Sequence, residues 1–235
     1  MPGRPVGPLV AEMFGRIAQR YDLMNTLMTA GLDHGWRAAA VRAARPPGDG
    51  LALDVGTGTA RLASALARAM PDGRVVGLDL TIPMLRAGQA WLWARPESGR
   101  VGLVAGDALR LPFANGRFDV LSSAFTVRNL LDFAAAFREQ ARVVKPGGRV
   151  VCLELTWPRV GVARLGLRTY CGRVLPLLGE LVAGDGAAYE YLPESVRLFP
   201  PPARVAELMV GAGLRDVRWA MLGFGTVTLH VGRKA

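Results

Sequence analysis

From Leu51 onward, short apolar runs alternate with stretches whose apolar residues recur every three or four positions. Residues 51–55, 74–78, 101–105, 118–123 and 149–155 read as buried strands bounded by Gly, Pro or Asp. Residues 59–69, 82–93 and 133–144 carry helical spacing between them. Such alternation predicts a mainly parallel sheet with helices on both faces, because parallel neighbours need crossover connections. Beyond Pro202 the pattern changes. Residues 204–211 read as a helix, and 217–222 and 226–231, joined by Gly223-Phe-Gly225, as an antiparallel hairpin closing one edge of a seven-stranded sheet.

The stretch 9–28 places Val10, Met13, Phe14, Ile17, Tyr21, Met24 and Met28 on one helical face, with a break expected near Tyr21-Asp22. That face reads either as core packing or as one side of an apolar substrate entry. Helices are expected over 1–45, then the glycine- and proline-rich join Pro46-Pro47-Gly48-Asp49-Gly50. The segment 158–202 is too long for a plain connection and is expected to fold as a helical cap over the site. With 235 residues and no repeat or low-complexity linker, the whole of 1–235 is expected to form one domain.

Half of the chain is hydrophobic, yet Arg or Gly interrupts every apolar run well short of the roughly 18 residues a membrane span needs. No secretory signal opens the chain, so a cytoplasmic protein is expected, with contact at the inner face of the membrane open. The net charge is +10, but only Lys145 and Lys234 are lysines and the arginines are scattered, which argues against a nucleic-acid partner. Attraction to anionic lipid headgroups remains compatible with that charge. Cys152 and Cys171 form no CxxC pair and read as reduced core residues. With two histidines, His34 and His230, and no ligand motif, no catalytic metal is expected.

Candidate chemistry lies in Leu51-Ala-Leu-Asp-Val-Gly-Thr-Gly-Thr-Ala60, a strand running into a glycine turn and a helix. Gly56 and Gly58 let backbone approach a ligand closely, and the first amides of the helix point toward it. Asp54 beside them disfavours an anionic pyrophosphate and suits a cation, which favours the sulfonium of S-adenosylmethionine over a dinucleotide. Ligands of open α/β sheets sit beyond the carboxyl ends of the strands, where Asp54, Asp79 and Asp107 succeed one another. Asp79 is placed to accept from both ribose hydroxyls, with Leu80 beside it, and Asp107 from the adenine amino group.

These features resemble the demethylmenaquinone and ubiquinone ring C-methyltransferases, within the class I S-adenosylmethionine-dependent enzymes and their Rossmann-like fold. Phe14-x-x-Ile-Ala-x-x-Tyr21-Asp22-x-x-Asn25, followed by Gly31 and Trp36-Arg37, is similar to the family's opening motif. Phe125-x-x-Arg128-Asn129-x-x-Asp132, Lys145-Pro-Gly-Gly148 and Leu153-Glu154 resemble its later motifs. So do Gly179-x-Leu-Val-Ala-Gly-Asp185, Tyr189-x-Tyr191-Leu-Pro-Glu-Ser195, Phe199-Pro200 and Gly225-x-Val-x-Leu-His230-x-Gly-x-Lys234. The chain departs from the family at Arg61, where an acid is usual, at Thr126, where glycine is usual, and at Leu155-Thr156. Arg61 is expected to turn toward solvent, away from the sulfonium.

The resemblance implies Thr59, Asp79, Asp107 and Ala108 as cofactor contacts, and Tyr21, Arg128 and Asn129 facing the methyl group and the ring. It implies methylation of a polyprenyl hydroquinone, demethylmenaquinol to menaquinol, by direct displacement. Arg128 is expected to stabilise the hydroquinone oxyanion and not to act as a base, since its pKa exceeds about 12. A water, His34, Tyr189 or Glu190 remains open as proton acceptor. The alternatives are another small phenolic or lipid acceptor, or a non-catalytic scaffold of quinone synthesis. A homodimer also stays open. Ser122-Ser-Ala-Phe125 lacks the Asn/Asp-Pro-Pro-aromatic tetrad expected of a nucleic-acid amino-methyltransferase.

Overall fold

The computed structural model describes residues 7–157 and 186–235. Three helices come first: α1 (Gly7–Ile17), α2 (Tyr21–Thr29) and α3 (Leu32–Ala44). β1 (Leu51–Val55), α4 (Arg61–Ala69), β2 (Arg74–Asp79), α5 (Ile82–Leu92) and β3 (Val101–Ala105) then alternate. They are followed by β4 (Phe118–Ala124), α6 (Phe133–Val143) and β5 (Val144–Leu155). The last elements are α7 (Gly186–Leu198), α8 (Pro202–Gly211), β6 (Leu214–Leu222) and β7 (Val227–Lys234).

The sheet runs β3-β2-β1-β4-β5-β7-β6. Its first five strands are parallel, and β7 lies antiparallel between β5 and the edge strand β6. Alternate side chains of β1 feed two cores, as a strand covered on both faces requires. Ala52 packs with Leu66 of α4, Met70 just beyond it and Leu92 of α5, while Leu53 and Val55 pack with Phe137 of α6 and Met209 of α8. The order reverses between β1 and β4, so a crevice opens beyond their carboxyl ends.

Several boundaries differ from the sequence expectation for identifiable reasons. The helix expected from residue 59 starts at Arg61, because Gly58 and Ala60 are left-handed, with φ of 54° and 64°. The break expected at Tyr21-Asp22 lies just before it, where α1 ends at Ile17 and α2 begins at Tyr21. The Lys145–Gly148 turn is looped out of a longer strand, since pairing to β4 jumps from Phe118↔Val144 to Val120↔Arg149. β6 also starts earlier than expected. A bulge between Arg215 and Arg218, where Asp216 has φ 53°, interrupts the alternation that would have shown it. Most of the expected cap 158–202, with Cys171 and the 179–185 motif, lies outside the described residues, as do the side chains of Tyr189 and Glu190. No helix among the described residues is long and apolar enough to cross a membrane.

Candidate active site

Two cavities open at the crevice. The first is lined by Gly56, Gly58, Asp79, Leu80, Asp107 and Ala108, the tips of β1, β2 and β3, and is covered by Val10, Phe14 and Tyr21 from α1 and α2. The second, of about 380 Å³ and mostly apolar, lies between α2, α3, α7 and the turn between β6 and β7. Tyr21 and Phe125 line both. The two readings of the N-terminal face are therefore joined: its apolar residues pack together, Ile17 and Met24 being buried, and they also wall the cavities.

The carboxylates at the strand tips have different surroundings. Asp79 accepts from the amides of Gly58 and Thr81, each at 2.8 Å. Burial raises its pKa, and those bonds pull back. A carboxylate has about four acceptor positions, so capacity remains for hydroxyl donors from the cavity. Asp107 is exposed and gives one oxygen to the Leu109 amide at 2.8 Å.

Asp54 and Thr59 stand behind the loop and do not line the first cavity. Asp54 is fully buried between the hydroxyls of Ser122 (2.6 Å) and Thr57 (2.8 Å), and burial pushes its pKa up to about 6 against those two hydrogen bonds. It acts on the loop from inside. Thr59 donates its hydroxyl to Asp22 at 2.7 Å, which ties α2 to the start of α4.

Asp22 also holds Arg61. The guanidinium bonds it through Nε at 2.8 Å and Nη2 at 2.6 Å, and lies 3.7 Å from the ring centre of Trp91. The expectation that Arg61 turns to solvent is corrected by this contact: one carboxylate oxygen that accepts both N–H groups, and an aromatic face, hold the cation more strongly than water does. The outcome for the first cavity is the same, since Arg61 does not line it.

Arg128 is buried, at 4% exposure, and borders the second cavity. Its Nη1 bonds Glu154 at 2.6 Å and the Phe125 carbonyl at 2.5 Å, while Glu154 also receives the Arg128 amide. Asn129 donates to the same Phe125 carbonyl at 3.3 Å and accepts from the Tyr191 hydroxyl at 3.1 Å. Phe125 itself is left-handed, φ 57°, a conformation that costs an aromatic residue on the order of 1–3 kcal/mol. The Arg-Asn pair thus braces a strained residue at the junction of the cavities. Thr126 presses on Gly56, where an added Cβ would lie 2.2 Å from its side chain, so that glycine must stay bare.

Sequence reasoning assigned no role to Glu154, Phe125, Asp22, Asp33 or Arg37, although each falls in or beside a motif. A usable signal existed for the last two: Asp33 and Arg37 are four apart on one helix and form a buried ion pair. His34 is exposed and lines neither cavity.

The model of the ubiE/COQ5 methyltransferase family matches residues 6–234. The demethylmenaquinone methyltransferase of Roseiflexus castenholzii is 48% identical over 225 residues, covering 96% of this chain and 93% of that one. The ubiquinone/menaquinone biosynthesis C-methyltransferase UbiE of Syntrophotalea carbinolica is 42% identical, covering 98% and 94%. Among solved structures, the [4+2]-cyclase SpnF superposes with a TM-score of 0.74 at 16% identity, covering 99% of this chain and 98% of that one. A SAM-dependent methyltransferase from Thermotoga maritima gives 0.67 at 18%, covering 96% and 100%. Those two likenesses show the class I methyltransferase fold alone, on which a cyclase also sits. Sequence identity along nearly the full length decides the rest: the chain belongs to the ubiE/COQ5 methyltransferase family.

Proposed function

We propose that this protein methylates a ring carbon of a prenylated hydroquinone, converting demethylmenaquinol to menaquinol, the substrate class that its relatives' names state. The observation that carries this reading is the meeting of a carboxylate-rimmed cavity and an apolar one across Tyr21 and Phe125. S-adenosylmethionine supplies an electrophilic methyl group on a sulfonium. The residues present fit it: Asp79 keeps acceptor capacity for ribose hydroxyls, Asp107 and Ala108 line the same cavity and could take an adenine amino group and ring, and none of the described lining residues is a cation.

The protein's part is positioning. Holding acceptor carbon and methyl roughly 3–3.5 Å apart and in line contributes on the order of 7–11 kcal/mol. Tyr21 and Phe125 shape that port, and Arg128 and Asn129 keep Phe125 in place. We read the chain as one domain, in which α7 covers one side of the acceptor cavity through Leu192 and Val196.

The acceptor's tail suits an apolar exit. Phe224, 91% exposed, and Leu32, 48% exposed, sit on the rim of the second cavity, and the chain is strongly basic. An apolar rim with positive charge favours peripheral contact with an anionic membrane, from which a lipid quinol would enter.

The test is incubation with labelled S-adenosylmethionine and a panel of reduced demethylated naphthoquinols and benzoquinols, with the product identified by mass spectrometry. Methylation on ring carbon of a naphthoquinol is expected. Transfer only to another acceptor class, or none, overturns the reading.

A further inference from the structure

Among the described residues lining the second cavity, the charged side chains besides Arg128 are the Asp33–Arg37 pair on α3. The residues are one helical turn apart, so both side chains leave the same face. Both are buried, at 3% and 9% exposure. Burial works to raise the Asp33 pKa, but the hydrogen bond and charge of Arg37 prevail and hold it below the usual value. The pair is therefore ionised.

The two arginines of the cavity differ in what they can still offer. Arg128 has committed Nη1 to Glu154 and to a backbone carbonyl. Arg37 bonds, among the described residues, only Asp33, and does so through Nη1 alone. A guanidinium has five N–H donors in a planar fork, so Nε and Nη2 retain theirs. Arg37 also lies near enough to β1 for its charge to act on Asp54, behind the glycine loop. Its neighbour Trp36 packs edge-on against Phe125, which lines both cavities, so this part of α3 borders the port between them.

Buried ion pairs seldom stabilise a fold more than apolar residues of the same size would. A pair kept in an apolar cavity with unused donors fits a ligand that carries oxygen. We infer that Arg37, positioned by Asp33, is the guanidinium that receives the phenolic oxygen of the acceptor and stabilises its anion. The inference rests on the proposed function and deepens it, by naming the group that activates the ring.

The chemistry balances. With the phenolic proton released toward solvent, the oxyanion's electron pair is delocalised onto the neighbouring ring carbon. That carbon forms the new C–C bond to the methyl group as the methyl–sulfur bonding pair returns to sulfur. The ring carbon then loses its hydrogen as a proton, which restores aromaticity and returns the electron pair to the phenolic oxygen, and that oxygen takes a proton back from solvent. Hydroquinol and sulfonium donor thus give methylhydroquinol, thioether and one proton, with no oxidant. Among the described residues of the cavity wall, the titratable or charged groups are Tyr21, Asp33, Arg37 and Arg128.

Two experiments decide. In the first, the full-length protein with S-adenosylhomocysteine is titrated with α-naphthol, whose anion absorbs at longer wavelength than the neutral phenol. Saturable binding with ionisation at least about one pH unit below that in free solution is expected, abolished in Arg37→Gln. No binding, or ionisation at the solution pH, overturns the inference, and this arm does not depend on turnover. In the second, Arg37→Gln is assayed on the reduced naphthoquinol beside Arg42→Gln, an exposed residue of the same helix. Loss of one anion-stabilising donor is expected to lower kcat roughly 10²–10³-fold. The cofactor Kd should stay unchanged, the melting temperature should fall because the buried Asp33 loses its cation, the acidic limb of the pH profile should move upward, and Arg37→Lys should recover part of the rate. Wild-type turnover in Arg37→Gln overturns the inference while leaving the proposed function standing. An inactive wild type would count against that function, and the naphthol titration alone would then judge Arg37. If Arg37→Gln fails to fold, the ionisation of α-naphthol bound to the wild type decides by itself.

Discussion

Glu154 is wholly buried, and its charge is tolerable only because Arg128 and two backbone amides meet it. Removing the cation leaves an unpaired buried carboxylate, so Arg128→Ala should cost roughly 3–5 kcal/mol in urea unfolding. Replacing both partners by apolar residues should restore much of that stability, yet not turnover, because Phe125 would lose its brace. A double mutant with full activity would assign Arg128 no part in shaping the site. Asp79 makes a different case, since its carboxylate faces a cavity as well as the Gly58 amide. Asp79→Ala should weaken S-adenosylmethionine binding by at least tenfold in calorimetry, and an unchanged Kd would misplace the ribose.

At the scale of elements, the link between α2 and α4 is one carboxylate wide. Asp22 takes the Thr59 hydroxyl and the Arg61 guanidinium, and Arg61 in turn lies on Trp91 of α5. Asp22→Ala should loosen α2, seen as faster amide exchange over residues 21–29, and weaken binding at the cavity that Tyr21 covers. Unchanged exchange would make the link ornamental. These contacts show where reading a sequence stops. The strands of the parallel sheet were legible because burial on both faces leaves continuous apolar runs, and Asp79 and Asp107 because they end such runs. Asp54 also ends one, but its carboxylate turns inward to Ser122, a residue 68 positions away that only the β1–β4 register brings opposite it. Arg61 looked misplaced beside the glycine loop because its partner lies 39 positions earlier. Long-range pairing of charges carries no periodic trace, whereas Asp33 and Arg37, one turn apart, did leave one.

At the scale of the whole molecule, Asp54 and His230, both buried, oppose one another in acid. Asp54 has its folded pKa raised to about 6 from 3.8, chiefly by burial, so the folded state holds that proton more tightly than the unfolded chain. Its contribution is complete below about 3.8 and is lost as pH rises through about 6, an effect of roughly 3 kcal/mol. His230 has the reverse sign. Burial lowers its pKa below 6.5, against its Nε2 contact of 2.9 Å with the Pro202 carbonyl, so its contribution is present above 6.5 and is lost as pH falls below it. Between pH 7 and 4 the wild-type curve is therefore flatter than either group alone would make it. Asp54→Asn removes the compensating proton and should steepen the acid loss, whereas His230→Gln should flatten it or reverse its slope. Urea midpoints of the three proteins across that range decide the matter. An Asp54→Asn curve parallel to wild type would mean that the Asp54 proton is not taken up on folding, and that Ser122 and Thr57 hold a carboxylate already charged at pH 4.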